Sequence, residues 1–409
     1  MRGRQHGPIP SVVPHAATAV SAVALAFAVL LPGPAAAQSQ LPPPSPARQS
    51  PFEVDVIALA ARNPFLETDD DAFTAAIALA AKGHTDWQLA PGTNLDADGA
   101  VAFRQYSRKY GNFLTGRAAL ALDHRHNEYL SFLSEASYER VLPTEAQGSS
   151  IDSAVDPLSL QDNYQLAQTV TWHGDALSTV SGRLGWTRLD PHGSTLLQST
   201  SALALTLNAK RQIDPLTTLG AVTVMTWSRT GPGSGSGPSS GDDPHAWTAQ
   251  LTAERRMGHG WRAQIALGAT RTSQLNNLGQ RQGSGVQFAG NTLLCHEPGH
   301  VSACITASVQ PVISSYGGIR RETAVGASLN WRLTERGTLT ANADYRRSPQ
   351  SAPAADIDTM RLAARYDYRL NGQVVLFAGP EYYRRTGVGG QTVHSAQFQI
   401  GITIGIPHQ

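Results

Sequence analysis

Hydrophobic residues in this chain recur at every second position over most of its length. Near the C-terminus Met360, Leu362, Ala364, Tyr366, Tyr368 and Leu370 alternate with Arg361, Ala363, Arg365, Asp367 and Arg369. Asn371-Gly372 follows, a strong hairpin signal because a type I′ turn needs positive φ at both central residues. The last run sets Phe398, Ile400, Ile402, Ile404 and Ile406 between Gln397, Gln399, Gly401, Thr403 and Gly405. A period of two puts one residue set on each face of a sheet. In water such a sheet is half of a sandwich. In a membrane it is the wall of a barrel, with lipid outside and a wet lumen inside.

The alternation starts at Thr85. It passes through Trp87 to Phe103, Leu114 to Leu122, Leu130 to Tyr138 and Tyr164 to Trp172, and repeats to the end. Short connections near 125, 174, 213, 259, 335 and 371 alternate with longer ones, among them 142–161, 230–244 and 273–319. Outer-membrane barrels have short periplasmic turns and longer external loops. The resulting expectation is an all-β protein, a transmembrane antiparallel β-barrel of about 14 strands (12–16), spanning residues 85–409. The stretch 273–319 either hides two more strands, at about 284–293 and 303–313, or is one large loop. Seven tryptophans (Trp87, Trp172, Trp186, Trp227, Trp247, Trp261 and Trp331) mostly fall beside turns, where aromatic girdles meet the membrane interface.

Ahead of the barrel the pattern changes. Arg2 and Arg4 precede an apolar run from Ala19 to Leu31, and Ala35-Ala36-Ala37 forms an A-x-A-like cleavage box. Residues 1–37 therefore read as a secretory signal peptide. Residues 38–84 read as a Pro-rich linker and a short periplasmic helix. The helix signals are Thr68 with Asp69 to Asp71 before an alanine-rich run, Lys82 at its end and Gly83 after it.

Composition sharpens this picture. Charged residues make up 15% of the 409, below the roughly 25% usual for soluble proteins. The formal charge is +1, which gives no basic surplus for nucleic acid. Beyond the N-terminus no apolar run approaches the ~18–20 residues that a membrane helix needs. Cys295 and Cys304, the two cysteines, would form a disulfide in an oxidising compartment.

The segments at 169–190 (TVTWHGDALSTVSGRLGWTRLD), 327–348 (ASLNWRLTERGTLTANADYRRS) and 362–385 (LAARYDYRLNGQVVLFAGPEYYRR) resemble the porin-like outer-membrane β-barrel proteins of Gram-negative bacteria. More narrowly, they are similar to barrels found with exopolysaccharide biosynthesis and export systems. The resemblance covers roughly residues 85–406 and implies insertion in the cell outer membrane by the barrel assembly machinery. Such barrels often finish on an aromatic residue, whereas this chain finishes Ile406-Pro407-His408-Gln409.

Candidate chemistry sits on the polar parity. Arg183, Lys210, Arg262, Asp344, Arg361, Arg365 and Arg369 are expected to line the channel, where rings of charge sort solutes. The alternative is a set of mutually paired charges in a structural interior. Arg361, Arg365 and Arg369, at every fourth position of one strand, form a basic stripe suited to anionic solutes or acidic polysaccharide. His296-Glu297-Pro298-Gly299-His300 matches H-E-x-x-H, but Pro-Gly is a poor helix interior. No nucleophile elbow appears. The expected function is a porin-like channel without enzyme activity, cofactor or metal, its partners being outer-membrane lipid and a small solute or polysaccharide. A non-conducting structural or adhesive barrel is the alternative, and an outer-membrane hydrolase stands behind both.

Overall fold

The structure is a computed structural model that describes residues 51–68, 72–108, 110–142, 152, 155–231, 244–275, 281–282, 285–316, 318–349, 356–387 and 390–406. The expected signal peptide, and the linker up to residue 50, lie outside them. The strands in chain order are β1 (Phe52–Arg62), β2 (Phe73–Ala90), β3 (Thr93–Tyr106), β4 (Asn112–Arg125), β5 (Leu130–Val141), β6 (Leu160–His173) and β7 (Ser178–His192). Next come β8 (Thr200–Asp214), β9 (Thr217–Thr230), β10 (His245–Met257), β11 (Trp261–Leu275), the two-residue β12 (Arg281–Gln282) and β13 (Val286–His296). Then follow β14 (Val301–Ser314), β15 (Gly318–Arg332), β16 (Gly337–Ser348), β17 (Ile357–Arg369), β18 (Val374–Thr386) and β19 (Thr392–Ile406). Every strand except β12, which pairs only with the end of β11, belongs to one antiparallel meander.

The meander closes on itself. β1 pairs on one side with β2, Phe52 facing Gly83, and on the other with β19, Phe52 facing Ile406. The result is a closed barrel of eighteen strands with no free edge. Closure satisfies every ladder hydrogen bond, which is the condition for a sheet to stand in hydrocarbon. Eighteen strands also make a barrel wide enough to hold water.

Two expectations are corrected here. The strand count rises from about fourteen to eighteen, and no α-helix occurs among the described residues. Two of the added strands, β13 and β14, fill the stretch whose reading was left open. The other two are β1 and β2, in the stretch taken as linker and helix. The alanine run has high helix propensity, but it is paired along both sides by β1 and β3. Its side chains alternate accordingly. Phe73, Ile77 and Leu79 face outward at 53–67% exposure, while Thr74, Ala76 and Ala78 are buried. Trp87 and Leu95 belong to different strands, parted by a tight turn at Pro91-Gly92 with Gly92 at φ +76°.

The outer wall is apolar all round, with Ile77, Leu120, Leu166, Leu251, Ile305 and Ile400 more than half exposed. Such a surface is unstable in water and suited to lipid. Trp87, Trp172, Trp261 and Trp331 lie outward near the end that carries the short turns, and Trp227 and Trp247 near the opposite end.

Eight short connections, the start of β1 and the end of β19 share one end of the barrel; the other end carries nine connections, all longer except the three-residue one between β14 and β15. Three of the short turns use one device. Asn127 Oδ1 accepts from the amides of Tyr129 and Leu130, Asp175 Oδ1 from Leu177 and Ser178, and Asn371 Oδ1 from Gln373 and Val374, all within 2.6–2.9 Å. These are Asx turns, in which a short side chain mimics a backbone carbonyl. The type I′ turn expected at Asn371-Gly372 is absent. Neither residue has positive φ, because the connection is four residues long and the Asn371 side chain closes it.

Candidate functional site

Alternation carries the polar residues of every strand into the lumen, which holds a cavity of about 2250 Å³. Arg183, Lys210, Arg262, Asp344, Arg361, Arg365 and Arg369 all line it. The cavity runs from the short-turn end, at Glu53, Arg332, Arg336 and Arg369, to Gln310, Glu322 and Arg346 deeper in.

Most of its cations have a carboxylate. Arg361 Nε donates to Glu381 Oε1 at 2.8 Å, and its guanidinium lies over the Tyr383 ring. Arg365 Nε donates to Asp367 Oδ1 at 2.8 Å and stacks 3.7 Å from the centre of the Phe377 ring. Arg346 Nη1 donates to Glu322 Oε1 at 2.7 Å. Arg183 pairs with Glu135 at 3.0 Å, and Arg262 stands 3.8 Å from Glu297. The stripe on β17 is thus largely neutralised at its two deeper members. Among the described residues Arg369, at the short-turn mouth, has no carboxylate within ion-pair distance. Arg346, Arg361 and Arg365 hold fixed positions, because each of these guanidinium groups is gripped by a directed hydrogen bond as well as by charge.

The opposite mouth is occupied by chain. The β1–β2 connection folds inside it, with Phe65 and Leu66 each 1% exposed. The Phe65 ring centre lies 4.4 Å from Tyr110, 5.1 Å from Tyr106 and 5.3 Å from Phe113. Leu66 packs on Tyr383 and Val393. Asn63 fixes this loop: its Nδ2 donates to the Glu67 carbonyl and its Oδ1 accepts the Glu67 amide, both at 2.8 Å. Asn63 and Leu66 have φ of +48° and +54°. A leucine in the left-handed region costs about 1–2 kcal/mol, which the surrounding contacts offset.

A second segment meets it from the β5–β6 connection. Asp152, fully buried, accepts the Ser314 hydroxyl at 2.5 Å and the Ser315 amide at 2.9 Å. Val155 packs with Leu197, Ile357 and Tyr316. The β5–β6 and β14–β15 connections lie eight places apart around an eighteen-strand ring. Asp152 therefore bridges nearly opposite walls. Sequence reading classed 142–161 as a long polar loop and missed this role. The available signal was the burst of apolar residues, Val155 and Leu158, inside a stretch otherwise rich in turn formers.

Cys295 and Cys304 form a disulfide between directly facing positions of β13 and β14. It staples a hairpin closed by residues 297–300. His296 lies at the end of β13, its ring centre 4.3 Å from that of Trp261, and His300 lies in the turn. No helix places the two histidines on one face, which removes the zinc-peptidase geometry.

A closed antiparallel wall, apolar outside and polar within, has one environment that suits it. The chain folds as a closed transmembrane β-barrel. No protein-family profile matches it, and no curated protein is similar to it in sequence. Solved structures do match. OccK2 (OpdF) of Pseudomonas aeruginosa, determined in complex with glucuronate, is 11% identical over 87% of this chain and 98% of its own, with a TM-score of 0.47. OpdK of the same organism, determined with vanillate, is 10% identical over 86% and 98%, at 0.46. A BenF-like porin from Pseudomonas fluorescens Pf-5 is 12% identical over 87% and 99%, at 0.44. What places this chain in a membrane is its own outer wall.

Proposed function

We propose that this barrel is a passive channel for small polar solutes, exported by its N-terminal signal, with Arg183, Lys210, Arg262, Asp344, Arg361, Arg365 and Arg369 lining the path. The observation that carries the reading is the lumen cavity of about 2250 Å³ with charged groups held at fixed positions on its wall. Solute enters the wide short-turn vestibule and crosses when the segments around Phe65 and Asp152 yield. No covalent chemistry is involved. The finer reading, passage of an acidic exopolysaccharide, rests on the basic stripe of β17, and Arg369 is the member best disposed to meet an anion. The two packed segments in the far mouth favour a second reading, a plugged barrel that does not conduct.

Single-channel recording in planar bilayers separates the two. Steady open-state current supports the channel, and silence across a wide voltage range supports the plug. In a conducting barrel, joint replacement of Arg361, Arg365 and Arg369 by glutamine should shift selectivity toward cations. Unchanged reversal potentials in a salt gradient would remove them from the path. For the polysaccharide reading, block of the current by an anionic oligosaccharide but not by a neutral one of equal length is the expected result.

A further inference from the structure

One polar pair stands on the outer wall where lipid tails would be. On β5 and β6 the outward positions face each other in three steps: Leu130 opposite Trp172, Ser134 opposite Gln168, and Tyr138 opposite Tyr164. Leu166 and Trp172, on the same face as Gln168, are each 53% exposed, whereas Gln165 and Thr169 line the lumen. Trp172 and Tyr164 each lie four residues from Gln168, roughly 13 Å along the strand in either direction. The pair is therefore midway between two aromatic levels, near the centre of an apolar band about 25 Å tall. Among the described residues Gln168 is the one charged or carboxamide side chain on the outward face that stands at least five residues from both ends of its strand.

The pair is only half satisfied. The Ser134 hydroxyl donates to Gln168 Oε1 at 2.6 Å, and Gln168 Nε2 has no hydrogen-bond partner among the described residues. Hydrocarbon offers none, and leaving a carboxamide unbonded there is costly. Glutamine side chains at membrane depth find their partners on neighbouring membrane-spanning segments. The wall beside Gln168 is also low. Its diagonal neighbours are Ala136 on β5 and Gly182 on β7. A Cβ at Gly182 would meet nothing nearer than Leu207 Cδ2, at 3.7 Å, so this chain's own packing does not require the glycine.

We propose that the face centred on Gln168 is where a second copy of this chain docks, the two barrels side by side about a two-fold axis along the membrane normal. Copies inserted the same way round are related by rotation about that normal, and such a rotation preserves depth. A two-fold contact puts the same patch on both subunits, so the two Gln168 side chains meet at one level. A carboxamide is its own complement. Each Nε2 donates to the Oε1 across the axis, which has a second lone pair beyond the one that Ser134 uses. Ala136 and Gly182 let the walls approach closely enough for that bond, as small residues do between membrane-spanning segments. This inference does not depend on whether the lumen conducts.

The test is sedimentation equilibrium of the full chain in a mild, density-matched detergent over a range of protein concentrations. The parent should give twice the mass of one chain. Gln168→Leu should raise the dimer dissociation constant about tenfold, the scale of an intersubunit hydrogen bond in a membrane. Gly182→Leu should also weaken the dimer, through bulk alone and with the polar pair intact. Ala341→Leu, on the outward face of β16 nine places round the eighteen-strand ring, should leave it unchanged. The unfolding midpoint of the Gln168→Leu barrel in urea should equal or exceed the parent's, because leucine suits lipid, whereas a role confined to bracing β5 against β6 would lower it. A parent that stays monomeric at every concentration overturns the proposal. So does a dimer that both Gln168→Leu and Gly182→Leu leave intact, or one that Ala341→Leu weakens as much as they do. Should Gln168→Leu fail to insert, Gly182→Leu against Ala341→Leu decides.

Discussion

The guanidinium of Arg385 donates to the backbone carbonyl of Leu66 through both Nη2, at 2.7 Å, and Nε, at 3.0 Å, joining residues 319 positions apart. Arg385 stands on the inner face of β18, and Leu66 belongs to the connection that starts the barrel. The bond fixes the inserted loop to the last strands, on the far side of the β1 seam. It also holds a leucine in left-handed backbone that it would leave if released.

Removing the anchor should loosen the mouth. Phe65→Ala deletes a fully buried ring packed among three aromatics, a change that costs about 3–5 kcal/mol in a well-packed site. Because the loop is not part of the barrel wall, that cost falls on its docking rather than on the fold. The expected outcome is a larger or more frequent open state in bilayer recordings, with unchanged gel mobility of the folded barrel. Arg385→Gln should act in the same direction and more weakly. Conductance equal to the parent in both variants would show that this loop does not obstruct the path.

Asp152→Ala addresses the second segment. The change leaves the buried Ser315 amide and Ser314 hydroxyl without their acceptor, at about 1–3 kcal/mol for each group. Hydrogen exchange at the Ser315 and Gln198 amides should accelerate, because Gln198 donates to the Ser315 carbonyl at 2.9 Å and shares the contact. Exchange in the β17–β18 wall serves as the internal standard and should not move.

The wall was legible in the sequence, and the mouth was not. Strands such as β17 and β19 announce themselves by alternation, because one face meets lipid and the other water. β1 and β2 obscured themselves for two reasons. Alanines on the inner face of β2, left small beside the inserted Phe65 loop, weaken the polar half of the pattern. The acids and lysine around them imitate helix caps. The segments at Phe65 and Asp152 are short and aperiodic, and their burial depends on partners on other strands, distant in the sequence. Likewise, the residues on the β17 stripe could be placed on one face, whereas their neutralisation by Glu381 and Asp367 depends on register and rotamer.

The disulfide offers a clean separation of stability from passage. Cys295 and Cys304 already face each other in the ladder, so replacing both with serine removes a covalent constraint on a short loop without moving the strands. The chain-entropy account gives about 2–3 kcal/mol for a closure of this length. The unfolding midpoint in urea should fall, while conductance stays near the parent value, because the pair lies flat on the lumen wall and serine is no bulkier than cysteine. Treatment of the parent with reductant should reproduce the shift. A midpoint unchanged by both would mean that the hairpin is held by its neighbours alone.

Asp175 makes one turn sensitive to acid. The Leu177 amide, the Ser178 hydroxyl and the Ser178 amide all donate to its carboxylate, and these bonds hold it below the usual carboxylate range. A group whose acidity is raised by folding contributes stability that is present above its unfolded titration point. That contribution is lost as pH falls through the lowered, folded one. Amide exchange at Leu177 and Ser178, corrected for its intrinsic pH dependence, should therefore show protection that declines only in the acid range. Asp175→Asn keeps an oxygen acceptor, as Asn127 and Asn371 do in their own turns. It should retain the turn and abolish the pH dependence. An acid-dependent loss of protection that persists in the asparagine variant would place its origin elsewhere in the hairpin.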